Sequence, residues 1–575
     1  MTKYLFHCVL CVLLVHQAAL AQNTNLLITD PEADAIVKGN YDPADYPATW
    51  SGTPQELIAA MRPLISPDSL KENIIRLSEF GTRNTGSDTL SDVTGIGAAR
   101  RWIHAKFQEI HDQGNGRLIP AYFQFDRAVC GMDQHRNVLA VLPGTQADPL
   151  EIIIIEGHMD SRCDVSCDVD CPAEGVEDNA SGTALVMELA RVMSGFTFKH
   201  TLVFMATTGE EQGLIGAEAF AQYCTEQGIS VKAVLNNDVI GGVICGKTAS
   251  PPGCMTENDV DSTQVRLFSA DNFNSPHKAL ARYVKLQYEE ELLAGEAVPM
   301  TITLMSPEDR TGRGGDHIPF RVAGYPAIRF TSANEHGDAS NGPDYMDRQH
   351  TSEDILGVDT DGDQVIDSFF VDFRYLSRNA AINATAAAMA ALSPKTPSIT
   401  VSKFGLGKAI IEIDDPEGYG VYRIGRRLNQ LDFEVLFTTT KLIDTFATGF
   451  GVPVWSAASV DEYGVESLFT PDYLASTTAI EETHPHGVEL LQNRPNPFDE
   501  ATWIQFLVHQ IPDYSRASVV IRDASGTLLA DLPVVLTTGI NEVLYTHGYG
   551  VSGMLYYSLV LDGMPVGTKA MVFAN

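Results

Sequence analysis

Continuous apolar runs alternate with helically spaced apolar positions through the middle of the chain. The runs at Asn137–Leu142, Glu151–Glu156, Thr201–Met205, Val231–Leu235 and Ala327–Phe330 read as strands covered on both faces. Residues 183–193 and 277–286 between them repeat apolar positions with helical period, as do 69–80 and 98–110 at the start of the region. An Ala-rich helix closes it near Leu392. This alternation predicts an α/β unit with a central mixed, largely parallel sheet flanked by helices, and sites beyond the carboxyl ends of the strands.

Beyond the proline-containing linker S-P-K-T-P-S, short strand-like runs separated by turns predict a small β-sandwich over 393–480 and a second small all-β module over 487–575. At the other end, 22–65 is rich in Asp, Pro, Ala and Tyr with little periodicity, and reads as a propeptide or an N-terminal arm. Residues 1–21 place Lys3 before a short apolar run that ends in Ala19-Leu20-Ala21, the pattern of a secretory signal peptide cleaved after Ala21.

Composition narrows the class. A length of 575 residues predicts three or four units. The balance of 39 Lys+Arg against 74 Asp+Glu, a formal charge of -35, disfavours nucleic acid and anionic membranes as partners. No run after the signal is long enough to span a bilayer, so a soluble exported protein is expected. Of nine cysteines, two lie in the signal, and the odd remainder leaves at least one thiol unpaired. Export favours a disulfide between Cys245 and Cys254, and pairing within Cys163, Cys167 and Cys171 or to Cys130, over a metal role for that cluster.

The candidate chemistry lies next to the strand ends. His158 and Asp160 stand in G-H-M-D, Asp178 in E-D-N-A-S-G, Glu210 and Glu211 in T-G-E-E-Q-G, Asp238 in N-N-D and His350 in Q-H-T. Singly, each is an ordinary polar residue. Together, neutral nitrogen and anionic oxygen donors in this order suit zinc. No G-x-S-x-G elbow offers a serine route.

With these motifs, residues 66–392 resemble the co-catalytic zinc aminopeptidase family, of zinc exopeptidase fold. The resemblance implies two Zn2+ ions bridged by Asp178, with His158 and Asp238 on one and Glu211 and His350 on the other. It implies that Glu210 takes a proton from a metal-activated water and returns it to the leaving amine of a peptide substrate. Asp160 is expected to accept the second ring N–H of His158. Asp316 and His317, in G-G-D-H-I-P-F, are expected behind the ligands or beside the substrate, and the Asp178-Asn179 peptide is expected to be cis. A glutaminyl cyclase with one zinc, a carboxypeptidase or dipeptidase of the same fold, and an inactive surface binding protein with a broken metal shell are the alternatives.

Three further features stand outside that constellation. Asp359, Asp361, Asp363 and Asp367 have calcium-like spacing, but glycine falls at the fourth position instead of the sixth and no Glu closes the loop. They stand between a Ca2+ site and a solvated acidic turn. The stretch W-S-A-A-S-V-D-E-Y-G-V-E-S resembles the end of a fibronectin type III domain. The segments L-L-Q-N-R-P-N-P-F, R-D-A-S-G and G-T-K-A-M-V resemble the C-terminal sorting domain of type IX secretion. That resemblance implies secretion and sorting machinery as partners, and a secreted or cell-surface location in a gram-negative bacterium.

Overall fold

The computed structural model describes residues 23–573, except 115, 148–149, 246–255, 257–258, 271–274, 310–312, 334–347, 404–406, 429, 450–451, 476–487, 497, 499–500, 509–510, 513, 524–526 and 548–552. The signal segment and Cys254 lie outside the described residues. The chain divides into two compact units, Met1–Phe268 with Val284–Met305 and Asp309–Leu392, and Ser269–Tyr283 with Ser306–Glu308 and Ser393–Asn575.

In the first unit, nine strands form one sheet: β1 (Thr24–Ile28), β2 (Ile119–Val129), β3 (Met132–Leu142), β4 (Ile152–His158), β5 (Thr201–Thr207), β6 (Val231–Asn237), β7 (Gln264–Phe268), β8 (Thr301–Leu304) and β9 (Ala327–Ser332). Their order is β1-β2-β3-β5-β4-β6-β9-β7-β8. The central strands β5, β4, β6 and β9 run parallel, whereas β1, β2 and β3 on one side and the β9–β7 pair on the other are antiparallel. The sheet is therefore mixed, with its parallel part where the apolar runs are longest.

The sequence of β4, I-I-I-I-E-G-H, is buried throughout because helices cover both faces of the sheet. One layer holds α1 (Pro31–Val37) and, later in the chain, α6 (Ile215–Gln227) and α8 (His317–Val322). The other holds α3 (Pro67–Ser78), α4 (Gly95–Gln113), α5 (Ser181–Met193) and α9 (Phe373–Leu392), with α2 (Pro54–Met61) against α9. Helix α7 (Pro276–Gln287) follows β7, and its residues up to Tyr283 belong to the second unit. Residues 23–65 are part of this fold. β1 extends the sheet against β2, and Ala33, Ile36 and Val37 of α1 are fully buried in an apolar cluster with Phe123, Phe220 and Tyr223. Neither β1 nor β2 was marked by a continuous apolar run.

Four of the cysteines close two disulfides, Cys130–Cys167 and Cys163–Cys171, within the pairings expected. Cys245 is disulfide-bonded, and Cys224 is a buried free thiol.

In the second unit, two β-sandwiches follow one another, each with its own core. Residues 398–474 form a three-stranded and a four-stranded sheet around Ile411, Ile424 and Trp455. Residues 488–573 repeat the three-plus-four arrangement around Phe506, Val519 and Tyr557. No helix among the described residues is long and apolar enough to cross a membrane.

Candidate metal centre

The neighbours β5, β4 and β6 end side by side, and each passes a chemical group into the space beyond the sheet. β4 ends on His158, β5 leads to Glu210 and Glu211, and Asp238 follows β6. Asp178 comes from the turn that enters α5. That turn is fixed from three directions. Asn179 donates to Asn237 O at 2.8 Å and accepts Gly182 N–H at 2.9 Å, which locks Asp178 to the end of β6. Buried Asp354 accepts the N–H groups of Glu177 and Asp178 at 2.9 and 3.0 Å. Thr183 donates to His158 O at 2.8 Å, which ties α5 to β4. The Asp178-Asn179 peptide is cis, as expected.

Asp178 faces an imidazole with each oxygen. Its Oδ1 is 3.1 Å from His158 Nε2, and its Oδ2 is 3.1 Å from His350 Nε2. Asp238 Oδ1 lies 3.4 Å from the same nitrogen of His158, and Glu211 Oε2 lies 3.2 Å from that of His350. Two donor groups result, His158 with Asp178 and Asp238, and Asp178 with Glu211 and His350; in each, the donor atoms lie within 4.8 Å of one another. They share only Asp178. His158, Glu210 and Glu211 also converge to that limit, so proximity alone does not separate the two glutamates. The convergence of Glu211 with both Asp178 and His350 does.

The electrostatics match the geometry. Burial opposes charge on Asp178, yet hydrogen bonds from His158 and His350 hold it well below the usual carboxylate range. Burial likewise opposes protonation of His158 and His350, but the surrounding carboxylates raise both above the ordinary imidazole range. Burial pushes Glu210 well up; His158 counteracts this, and Asp238 and Glu211 add to it. Asp238 is burial-strained but kept low by Arg329, whose guanidinium is 3.2 Å away. Glu211 Oε1 is buried without a hydrogen-bond partner. A buried oxygen of this kind, in a set of nitrogen and carboxylate donors, fits a divalent cation and zinc in particular.

Asp160 offers His158 Nδ1 two acceptors, its backbone carbonyl at 3.1 Å and its carboxylate at 3.6 Å. The carboxylate also accepts the N–H groups of Glu210 and Glu211, each at 3.3 Å, and the Thr85 hydroxyl at 3.2 Å. Asp316 is fully buried before α8, accepts the Thr207 hydroxyl and is pushed up by burial to about 7. His317 is buried at the start of α8.

The acidic turn converges only in part. Asp359, Asp361 and Asp367 group together, and Asp363 is not among them. Asp359 accepts the N–H groups of Asp361, Gly362 and Gln364, and Asp367 accepts from Thr360.

Several residues around the site were not marked by sequence. Fully buried Arg83 donates to the carbonyls of Met159 and Gly175, at 2.7 and 2.8 Å, and also to Glu174 O, joining the two ends of the 159–175 loop. Arg162 and Arg313 line a cavity of about 330 Å³ with Asp178, Glu210, Glu211 and Asp238. Arg162 and Asp354 sit two and four residues beyond residues already singled out, and that adjacency was the available signal.

The model of Peptidase family M28 matches residues 137–370. A probable zinc metalloprotease of Pyrenophora tritici-repentis is 32% identical over 361 residues, 60% of this chain and 79% of the relative. One from Leptosphaeria maculans is 32% identical over 342 residues, 57% of this chain and 75% of the relative. Among solved structures, the LapA aminopeptidase of Legionella pneumophila is 22% identical, with a TM-score of 0.42 over 59% of this chain and 75% of that one. With its donor set intact and four-fifths of a relative's length spanned at this identity, the chain belongs to peptidase family M28, the zinc metallopeptidases.

Proposed function

We propose that the chain is an exported two-zinc aminopeptidase that removes N-terminal residues from peptides. The observation that carries this reading is Asp178, with one oxygen 3.1 Å from each imidazole. A carboxylate shared in this way offsets the repulsion between two neighbouring dications. His158 and Asp238 would hold one zinc, and Glu211 and His350 the other.

When bound, the cations polarise the scissile carbonyl and lower the pKa of the attacking water from 15.7 to about 7. Glu210 lines the same cavity and supplies the proton transfers. Its carboxylate, already pushed up by burial, accepts a proton from the water and passes it to the leaving amine. Arg329 beside Asp238 and the Asp160 anchor beneath Glu210 and Glu211 keep the donor groups oriented. The acidic turn keeps both of its readings, a Ca2+ site on the converging Asp359, Asp361 and Asp367 or a solvated turn closed by its own N–H groups.

The test is hydrolysis of aminoacyl-anilides and of N-acetylated peptides, with metal content measured on the same sample. Free amino termini should be required, at two zinc ions per chain. Glu210→Gln should keep its zinc and lose roughly 10²- to 10⁴-fold in turnover. Cleavage of N-acetylated peptides that depends on a free C-terminus would favour a carboxypeptidase instead, and full activity at one ion per chain would sink the two-zinc reading.

The address rests on the termini. The signal segment and the 487–575 module support export to the outside or the surface of a gram-negative cell, with the second module read by the sorting machinery and the 393–480 module a fibronectin type III-like spacer. Deleting 488–575 should retain the chain in the periplasm, as seen by cell fractionation.

A further inference from the structure

Three arginines crowd one tyrosine on the face of the sheet that α4 covers. Side chains alternate along a strand, so Tyr122 and Gln124 of β2, and Arg136 of β3 opposite Gln124, point away from the apolar cluster that takes Phe123 and Phe125. Helix α4 adds Arg100, Arg101 and, one turn beyond Arg100, His104, whose ring stacks on Tyr122 with centroids 4.4 Å apart. Arg136 Cζ lies 5.6 Å from the centre of the same tyrosine ring. None of these residues lines the metal cavity.

Their partners differ. Arg136 Nε and Nη2 donate to Gln124 Oε1 at 3.1 and 2.9 Å. Arg101 is held by the carbonyls of Thr89 and Ser91 and by Asp92. The Arg100 guanidinium has no hydrogen-bond acceptor and no ion-pair partner among the described residues, and the Tyr122 hydroxyl has no hydrogen bond there. Asp30 acts on His104 and not on Arg100. Burial lowers the Arg100 pKa from its ordinary value, and the guanidiniums of Arg136 and Arg101 lower it further. An arginine stays charged all the same.

A partly buried cation is thus set against two others, in a chain whose formal charge is -35 and where acids are in surplus. Like charges repel at this range unless an anion joins them. Arg100 offers a complete donor fork, and Arg136 Nη1 and the Tyr122 hydroxyl stand beside it. Two guanidiniums and a phenol suit a group with several acceptor oxygens and a charge of about −1.5 to −2, which is phosphate.

We propose that Arg100, Arg136 and Tyr122 form a binding site for a phosphate group, free or as a monoester, separate from the metal centre. The site does not depend on the peptidase reading.

Titration calorimetry on the zinc-loaded full chain should detect inorganic phosphate, with acetate as the carboxylate control and glycerol phosphate as the monoester. Arg100→Gln should weaken phosphate binding roughly ten- to a hundredfold, and Arg100→Lys should restore part of it. Phosphate held by metal ions would not respond to Arg100, so an isotherm that Arg100→Gln leaves unchanged overturns the proposal. Absence of binding does so too, as does acetate binding as tight as phosphate. Glycerol phosphate binding at least as tightly as the free ion assigns the site to a monoester, and weaker binding assigns it to the ion itself. Thermal unfolding guards against a purely structural role. Without phosphate, Arg100→Gln relieves repulsion and should unfold no earlier than the unmutated chain, whereas saturating phosphate should reverse the order. A variant less stable by the same margin in both buffers would show that Arg100 packs and does not bind.

Discussion

Asp160 holds the Glu210-Glu211 turn by accepting both backbone N–H groups, so its effect on the metals is indirect. Asp160→Asn replaces one acceptor oxygen with a donor amide and leaves a turn N–H unpaired in a buried place. The cost should be about 1–3 kcal/mol of stability. Zinc affinity should fall about 10- to 100-fold, as it does when groups that orient ligands are lost. A zinc titration that shows unchanged affinity would remove Asp160 from this role. The imidazoles make a second prediction. Burial works against their protonation, but the carboxylates around His158 and His350 raise both above the ordinary imidazole range, so the metal-free site favours their charged forms more than water does. Zinc needs each nitrogen deprotonated, so loading should release protons. Titration calorimetry in buffers of different ionisation enthalpy measures that release, and apparent affinity should rise with pH. Release near zero would mean that the imidazoles are already neutral or do not bind.

The start of α5 sets the position of Asp178 relative to β4 and β6. A Cβ on Gly182 would lie 2.1 Å from Asn237 O and 2.6 Å from Asn179 Oδ1, against backbone and against the side chain that locks the turn. Gly182→Ala should therefore push α5 away from β6, destabilise the fold by about 1–3 kcal/mol and lower zinc occupancy, both read on one purified sample by denaturant unfolding and metal analysis. Normal zinc content in that variant would show that the turn tolerates the shift. This packing also explains which elements were legible. β4, β5, β6 and β9 are covered on both faces and announce themselves as unbroken apolar runs. β1, with exposed Thr24 and Asn25, and β8, with exposed Thr301, are short marginal strands whose pairing partners decide their conformation. The donor residues were legible because strand ends bring them together in one order. Arg83 was not, because its role comes from carbonyls more than seventy residues away, which no local pattern encodes.

At the scale of the whole molecule, the boundary near Leu392 is not the boundary of packing. Residues 269–283 belong with 393–575, and within that unit Arg282, fully buried, reaches both oxygens of Asp472 with its Nη2, each at 3.0 Å. Arg427 Nη2 reaches the same carboxylate at 2.6 Å, and Arg282 also donates to Leu431 O at 3.2 Å. One carboxylate thus balances two buried guanidiniums. Asp472→Asn removes the anion that both share, and breaking a buried pair in this way costs about 3–5 kcal/mol. The pH dependence gives the signature. Burial would raise Asp472, but Arg282 and Arg427 hold it below the ordinary carboxylate value. A carboxyl with a lowered folded-state pKa contributes its full stabilisation above the unfolded value, about 3.9, and loses it as pH falls through the folded value. The unmutated chain should therefore exceed the variant in denaturant resistance of this unit at pH 7, and the two should converge as the solution is acidified below about pH 4. Hydrogen exchange at Arg427 and its strand neighbours reads this unit separately from the peptidase unit. A gap between the two proteins that stays constant with pH would mean that shape, and not charge, makes Asp472 the keystone of the junction between 269–283 and the first sandwich.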